Sequence, residues 1–168
     1  LYYGDGAGSP GTVMTYFPFP SAARGQLGTG EVGRTSFTIP VGSAAAWAER
    51  LATFDIKSRT DSRFGETRVL FEGPDGEHFA LVEKEDDRAP WTGGGLSEDT
   101  AIRGFHSADM RLRDSGASAE LLAFMGYEKL DSAGGVTRFH VPGGNAANVI
   151  DIEELPQVGH GAGAAGIL

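Results

Sequence analysis

Apolar and polar residues alternate most clearly over Phe64 to Glu83, FGETRVLFEGPDGEHFALVE. Val69, Leu70 and Phe71 favour extended backbone, the cluster Gly73-Pro74-Asp75-Gly76 interrupts it, and Phe79, Leu81 and Val82 resume it. Asp-Gly supplies the positive φ of a tight turn, so the stretch predicts strand, turn, strand. Ahead of it, Glu31 to Ile39 predicts a strand and Ser43 to Leu51 a helix. Ser43 suits the N-cap, and Ala44, Trp47, Ala48 and Leu51 recur at helical spacing, which makes Trp47 an anchor of helix to sheet. Together these elements form a β-α-β-β-β unit.

The same order recurs downstream. Ile102 to Leu112 predicts a strand, Asp114 a cap, and Ala117 to Met125 a helix offering Leu121, Leu122 and Phe124 to a core. Further strands are expected from Gly126 to Leu130, Val136 to Val141 and Ala147 to Glu153. One shift of 71 residues pairs Thr35 with His106, Ser43 with Asp114, Leu51 with Leu122 and Ala80 with Asp151. A constant shift from first strand to last implies an internal repeat. The expected fold is therefore α+β, with tandem βαβββ modules forming curved mixed sheets about an approximate two-fold.

The modules divide the chain at 31–83 and 101–155, with the charged, Pro- and Gly-bearing stretch 84–100 (KEDDRAPWTGGG within it) as a linker. Residues 1–20 fit the last two strands of an incomplete earlier module, Leu1 to Asp5 and Thr12 to Phe19. The Gly-rich tail 156–168 leads toward a module not present, so on pattern alone the chain reads as part of something longer.

Composition narrows the function classes. A net charge of −9 without a basic stripe argues against nucleic acid or an anionic membrane as partner. With no cysteine there is no disulfide framework, thiolate nucleophile or cysteine metal site. No signal peptide or long apolar run is visible, which predicts a cytoplasmic protein. The glycine-rich stretches Gly4 to Gly11 and Gly159 to Gly166 lack the strand-loop-helix setting and lysine of a phosphate loop.

Several short motifs occur in a characteristic order: Leu1-Tyr-Tyr-Gly-Asp5, Pro10-Gly-Thr12, Tyr16-Phe-Pro18, Ala23-Arg-Gly25, Gly28-Thr-Gly30, Gly33-Arg-Thr35, Phe71-Glu-Gly-Pro-Asp-Gly76 and Ile102-Arg-Gly-Phe-His106. With paired βαβββ units, they resemble the vicinal oxygen chelate superfamily of glyoxalase I, bleomycin-resistance proteins and extradiol dioxygenases. Within it they resemble the hydroquinone-type ring-cleaving dioxygenases, built from four such units. That resemblance implies a glyoxalase-like fold and a mononuclear Fe(II) or Mn(II) site of two histidines and a carboxylate. It also implies a small dihydroxylated aromatic substrate and O2, and it leaves a homo-oligomer open.

In that subgroup the metal ligands lie on the first strand of the first unit and on the first and last strands of the fourth. No complete triad therefore carries over to this chain, and a metal-free chain is expected. The corresponding first- and last-strand places hold Thr35 and Ala80 in one unit and His106 and Asp151 in the other. His106 and Asp151 are the candidate metal ligands, expected to meet on one concave face, and equally suited to a structural hydrogen bond. His78 is expected to face solvent, His140 to point toward the sheet, and His160 to sit in a flexible tail. Two functions follow. One is the central part of a ring-cleaving dioxygenase whose ligands lie largely elsewhere; the alternative is a non-catalytic small-molecule-binding protein of the bleomycin-resistance type.

Overall fold

The computed structural model describes residues 1–18, 21 and 23–162; the expected strand end at Phe19 and the last stretch of the Gly-rich tail fall outside the described residues. A short ribbon pairs β1 (Tyr2–Tyr3) with β2 (Met14–Thr15), much shorter than the two strands expected there. The first module runs β3 (Glu31–Ile39), α1 (Ala44–Thr53), β4 (Ser58–Arg63), β5 (Glu66–Glu72) and β6 (His78–Glu83). The second runs β7 (Gly104–Leu112), α2 (Gly116–Phe124), β8 (Glu128–Ala133), β9 (Val136–His140) and β10 (Val149–Glu154).

Both modules join one eight-stranded sheet of order β4-β5-β6-β3-β7-β10-β9-β8. The first strand of each runs parallel to its last, and β3 and β7 meet antiparallel at the centre, with Ser36 opposite Ser107. This is the expected approximate two-fold. The single shift of 71 residues does not survive it. Thr35 lies beside Phe79, whereas Ser107 lies beside Val149, so 44 residues separate the partners in one module and 42 in the other. Thr35 with His106 and Ala80 with Asp151 cannot both be equivalent pairs.

The hairpins β4–β5 and β8–β9 turn on two residues of positive φ, Phe64 (50°) with Gly65 (77°), and Gly134 (59°) with Gly135 (80°). Those angles match the right-handed twist of the strands they connect. Glycine meets the requirement freely, but Phe64 is a bulky residue in a region it rarely enters.

One face of the sheet is covered by the helices. Ala44, Trp47 and Leu51 of α1 pack on Ile39, Val69 and Leu81, and the Trp47 indole donates to the Thr100 carbonyl at 2.8 Å. On α2 only Leu122 is buried, against Phe139 and Ile152. Leu121 and Phe124, expected in the core, are 58% and 89% exposed. Successive helical residues point about 100° apart, so Leu121, Leu122 and Phe124 cannot share one face.

Ser43 is the N-cap of α1 as expected, but its side chain does not make the capping bond. Ser43 turns its hydroxyl back to the Pro40 carbonyl, and the Glu83 carboxylate accepts the Ala44 N–H at 2.7 Å instead. At α2 the N-cap is Ser115 rather than Asp114, and Glu154 accepts its N–H and its hydroxyl. In each module a glutamate at the end of the last strand thus places negative charge at the positive end of the helix. Among the described residues no helix is long and apolar enough to cross a membrane.

Candidate functional site

Side-chain contacts show how far the sheet curls. Four strand spacings separate β4 from β7, about 19 Å in a flat sheet. Yet Arg63 at the end of β4 donates to Asp109 on β7 at 2.9 Å. Glu66 on β5 reaches Arg138 on β9 at 2.5 Å, from five spacings away. The face opposite the helices is therefore the concave one, and ion pairs close it from rim to rim.

A bulge delivers the histidine to this face. Ser36 faces Ser107 and the next residue, Phe37, faces Phe105, so His106 is the extra residue on β7. Such a bulge re-aims side chains that alternation would send to opposite faces. His106 is fully buried, its Nδ1 2.9 Å from the Ser107 hydroxyl and its Nε2 3.3 Å from Glu66 Oε1. Arg138 donates Nε and one terminal nitrogen to the two Asp151 oxygens at 2.8 and 2.9 Å. Its other terminal nitrogen donates to Glu66, and the Phe64 ring lies 4.5 Å from its guanidinium carbon. The unfavourable φ of Phe64 is thus held by a stacked cation.

His106 and Asp151 do share the concave face. Among the described residues no hydrogen bond or ion pair joins them directly; they are connected through Glu66 and Arg138. Their donors do not fit a divalent cation. Asp151 is 1% exposed, both its oxygens accept from Arg138, and an added cation would be pressed against the guanidinium. No group of three His, Cys, Asp or Glu is gathered to hold one among the described residues.

Electrostatics within the cup follow from burial opposed by pairing. Burial raises the Glu66 pKa, but the hydrogen bonds and charges of His106 and Arg138 outweigh it and hold the carboxyl at about 2. Burial lowers the Arg138 pKa, but Asp151 and Glu66 overcome it, for a net rise. Asp109 moves the other way: desolvation pushes it up despite Arg63 and Arg34, and among the described residues its buried Oδ1 meets no hydrogen-bond donor.

The remaining histidines lie apart. His78 is half-buried rather than solvent-facing, and burial lowers its pKa. His140 is half-buried at the end of β9. His160 is exposed but is not in a loose tail: it bridges Thr29, and Ala162 bridges Gln26.

No protein-family model matches the chain. Glyoxalase I from Zea mays shares its fold at TM-score 0.57 and 14% identity, over 86% of this chain and 50% of that one. A crystal structure of a Bacillus subtilis protein described as a dioxygenase superposes at TM-score 0.91 and 38% identity, over 99% of this chain and 54% of that one. The chain therefore has the glyoxalase-like, vicinal oxygen chelate fold.

Its curated relatives bear the names of ring-cleaving dioxygenases. MhqO of Bacillus subtilis (strain 168) is 39% identical over 168 residues, 99% of this chain and 53% of that protein. The chlorohydroquinone/hydroquinone 1,2-dioxygenase of Sphingobium indicum is 32% identical over 161 residues, 90% of this chain and 49% of that protein. The chain spans about half the length of the curated relatives it matches.

The concave residues that sequence reasoning missed include Arg63, Glu66, Arg68 and Arg138. A signal existed: Arg68 and Arg138 each occupy an inward register of a strand whose neighbouring residue, Val69 or Phe139, is core. Arg68 is bound by both Asp61 oxygens at 2.8 Å, as Arg138 is by Asp151.

Proposed function

We propose that this chain supplies two βαβββ modules of a metal-dependent, extradiol-type dioxygenase that opens dihydroxylated aromatic rings. The observation that carries this is 39% identity, over 99% of the chain, to a protein named as a ring-cleaving dioxygenase, joined by similarity to a chlorohydroquinone/hydroquinone 1,2-dioxygenase. The cofactor in this reading is Fe(II) or Mn(II), held by ligands largely outside these residues. No step is assigned to a metal within the cup, because Arg138 already occupies the carboxylate of Asp151. The role of His106, Glu66, Arg138 and Asp151 is to lock the two modules into one rigid, curled sheet. A rigid sheet can hold a neighbouring site in register.

Oxygen uptake by the full-length protein on hydroquinone and catechol tests the reading. One O2 should be consumed per ring opened, with both its atoms in the product. Chelation should abolish turnover, and Fe(II) or Mn(II) should restore it. Metal-replete protein that consumes no oxygen on any dihydroxybenzene would sink it. The engaged donors of His106 and Asp151 favour a second reading, a binding protein without catalysis. Tight aromatic binding with no bound metal and no turnover would select that one.

A further inference from the structure

On the helix-side face of the first module, three separated stretches enclose a cavity of about 610 Å³. Its floor is the aromatic group Phe37, Phe71 and Phe79, with ring centroids 5.5 to 6.0 Å apart. Trp47 of α1 and Trp91 of the linker form walls, and the β1–β2 ribbon brings Tyr16. The helix is too short to cover this end of the sheet, so aromatic surface is left facing a hollow rather than a packed neighbour. Trp91 remains 44% exposed at its mouth. Apolar area kept open in a hollow of this size is the usual character of a small-molecule site.

Few polar groups reach the cavity, and they have a bias. Among the described side chains that line it, Asp5, Asp75 and Glu77 are acidic and Arg103 is basic, its guanidinium donating to the Arg88 and Glu98 carbonyls. Glu77 is 8% exposed, and one of its oxygens accepts the Asp75 N–H at 3.0 Å. Beside it, the Tyr16 hydroxyl has its pKa pushed up to about 12, by burial first and then by Glu77. It stays protonated, so its oxygen can accept a hydrogen bond from a ligand and its O–H can donate one. A buried carboxylate beside a hydroxyl receives a ligand's donor and repels an anion.

We propose that this cavity binds small, uncharged aromatic molecules bearing one hydroxyl or amine donor, independently of any metal. The donor points to Glu77 and Tyr16, and the ring lies on Phe37, Phe71 and Phe79. This goes beyond the dioxygenase reading, since the residues lie on the opposite face from the ionic cup and no turnover is required.

Two probes of matched size separate the chemistry: 4-ethylphenol, neutral at pH 7, and 4-ethylbenzoate, an anion. Equilibrium dialysis of the full-length protein reads affinity. Trp47 and Trp91 are the only two tryptophans of this sequence and both line the cavity, so their emission reports occupancy of the site. The phenol should bind saturably and shift that emission, with the benzoate weaker by about tenfold or more. Glu77→Gln should narrow that gap, and Tyr16→Phe should weaken the phenol by about three- to tenfold. Ala89→Phe, at a lining and exposed position, should remove phenol binding without moving the unfolding midpoint. Absence of saturable binding, equal affinity for both probes, or full binding in Ala89→Phe would overturn the proposal.

Discussion

Leu81 and Val82 are neighbours on β6, yet the two faces they divide are filled by opposite means. Leu81 points toward α1 and joins Ile39, Trp47, Leu51 and Val69 in an apolar core. Val82 points into the cup, where among the described residues Leu70 and Ala80 form a small apolar cluster with it before ion pairs take over. On the helix side, area removed from water supplies the stability, and the residues tolerate gaps. In the cup, four arginines (Arg34, Arg63, Arg68, Arg138) meet four carboxylates (Asp61, Glu66, Asp109, Asp151). A buried charge tolerates a gap poorly, because its desolvation is recovered only by its partner. The first face is therefore stable by amount, the second by pairing.

That difference is broken hardest at Arg138. Arg138→Ala leaves Asp151, 1% exposed, without either of its bidentate donors, and should cost roughly 3–5 kcal/mol. Replacing the pair together, Arg138→Met with Asp151→Leu, should recover much of the loss, since the fully buried carboxylate left alone is removed and Glu66 keeps His106 and Lys84. Urea unfolding of the two variants decides it. A double variant no better than Arg138→Ala would show that the cup is not governed by unpaired charge.

On the helix side the largest effects come from volume. Phe79→Ala and Leu122→Ala remove side chains that are 7% and 6% exposed, and each should cost roughly 2–5 kcal/mol. No second substitution rescues these as the double variant rescues Arg138, because the loss is of contact area. Denaturant midpoints unchanged within error would contradict the packing described.

These outcomes bear on why the modules were legible in the sequence and the cup was not. The hairpin around Asp75-Gly76, α1 and the paired βαβββ order follow from periodicity and turn residues, which act locally. Strand β4, Ser-Arg-Thr-Asp-Ser-Arg, has no apolar alternation to announce it, because its inward residues are charged: Asp61 pairs with Arg68 on the next strand and Arg63 with Asp109 far along the chain. His106 was found by position, but its bulge depends on the cross-strand register of β3 and β7, which no local pattern encodes. The two-residue difference between modules escaped for the same reason.

Acid should weaken the cup before the helix side. The Glu66 carboxyl is held at about 2, below its ordinary value of 4.5. A carboxylate lowered on folding stabilises the native state fully above about pH 4.5 and loses that contribution as pH falls toward about 2. Glu66→Gln should therefore be less stable than the parent at pH 6, by the order of 1 kcal/mol once solvent screening is allowed for. The gap should close between about pH 4.5 and 2. A gap that persists unchanged at pH 2 would assign the loss to packing rather than charge.

The smallest expected effect lies one residue from one of the largest. Leu121 precedes Leu122 on α2, and the two are alike in size and hydrophobicity, but Leu121 is 58% exposed and Leu122 6%. Phe124 is 89% exposed, so truncating either exposed residue removes little area that folding takes out of water. Leu121→Ser and Phe124→Ser should each move the unfolding free energy by less than about 0.5 kcal/mol, the range for surface substitutions. Serine in a helix is slightly worse than leucine, so the small change should be toward lower stability. Against Leu122→Ala, the pair measures how sharply α2 divides core from surface over one 100° step. A loss above about 2 kcal/mol on Leu121→Ser would mean that this face is covered in solution, and sedimentation velocity would then show whether a second copy covers it.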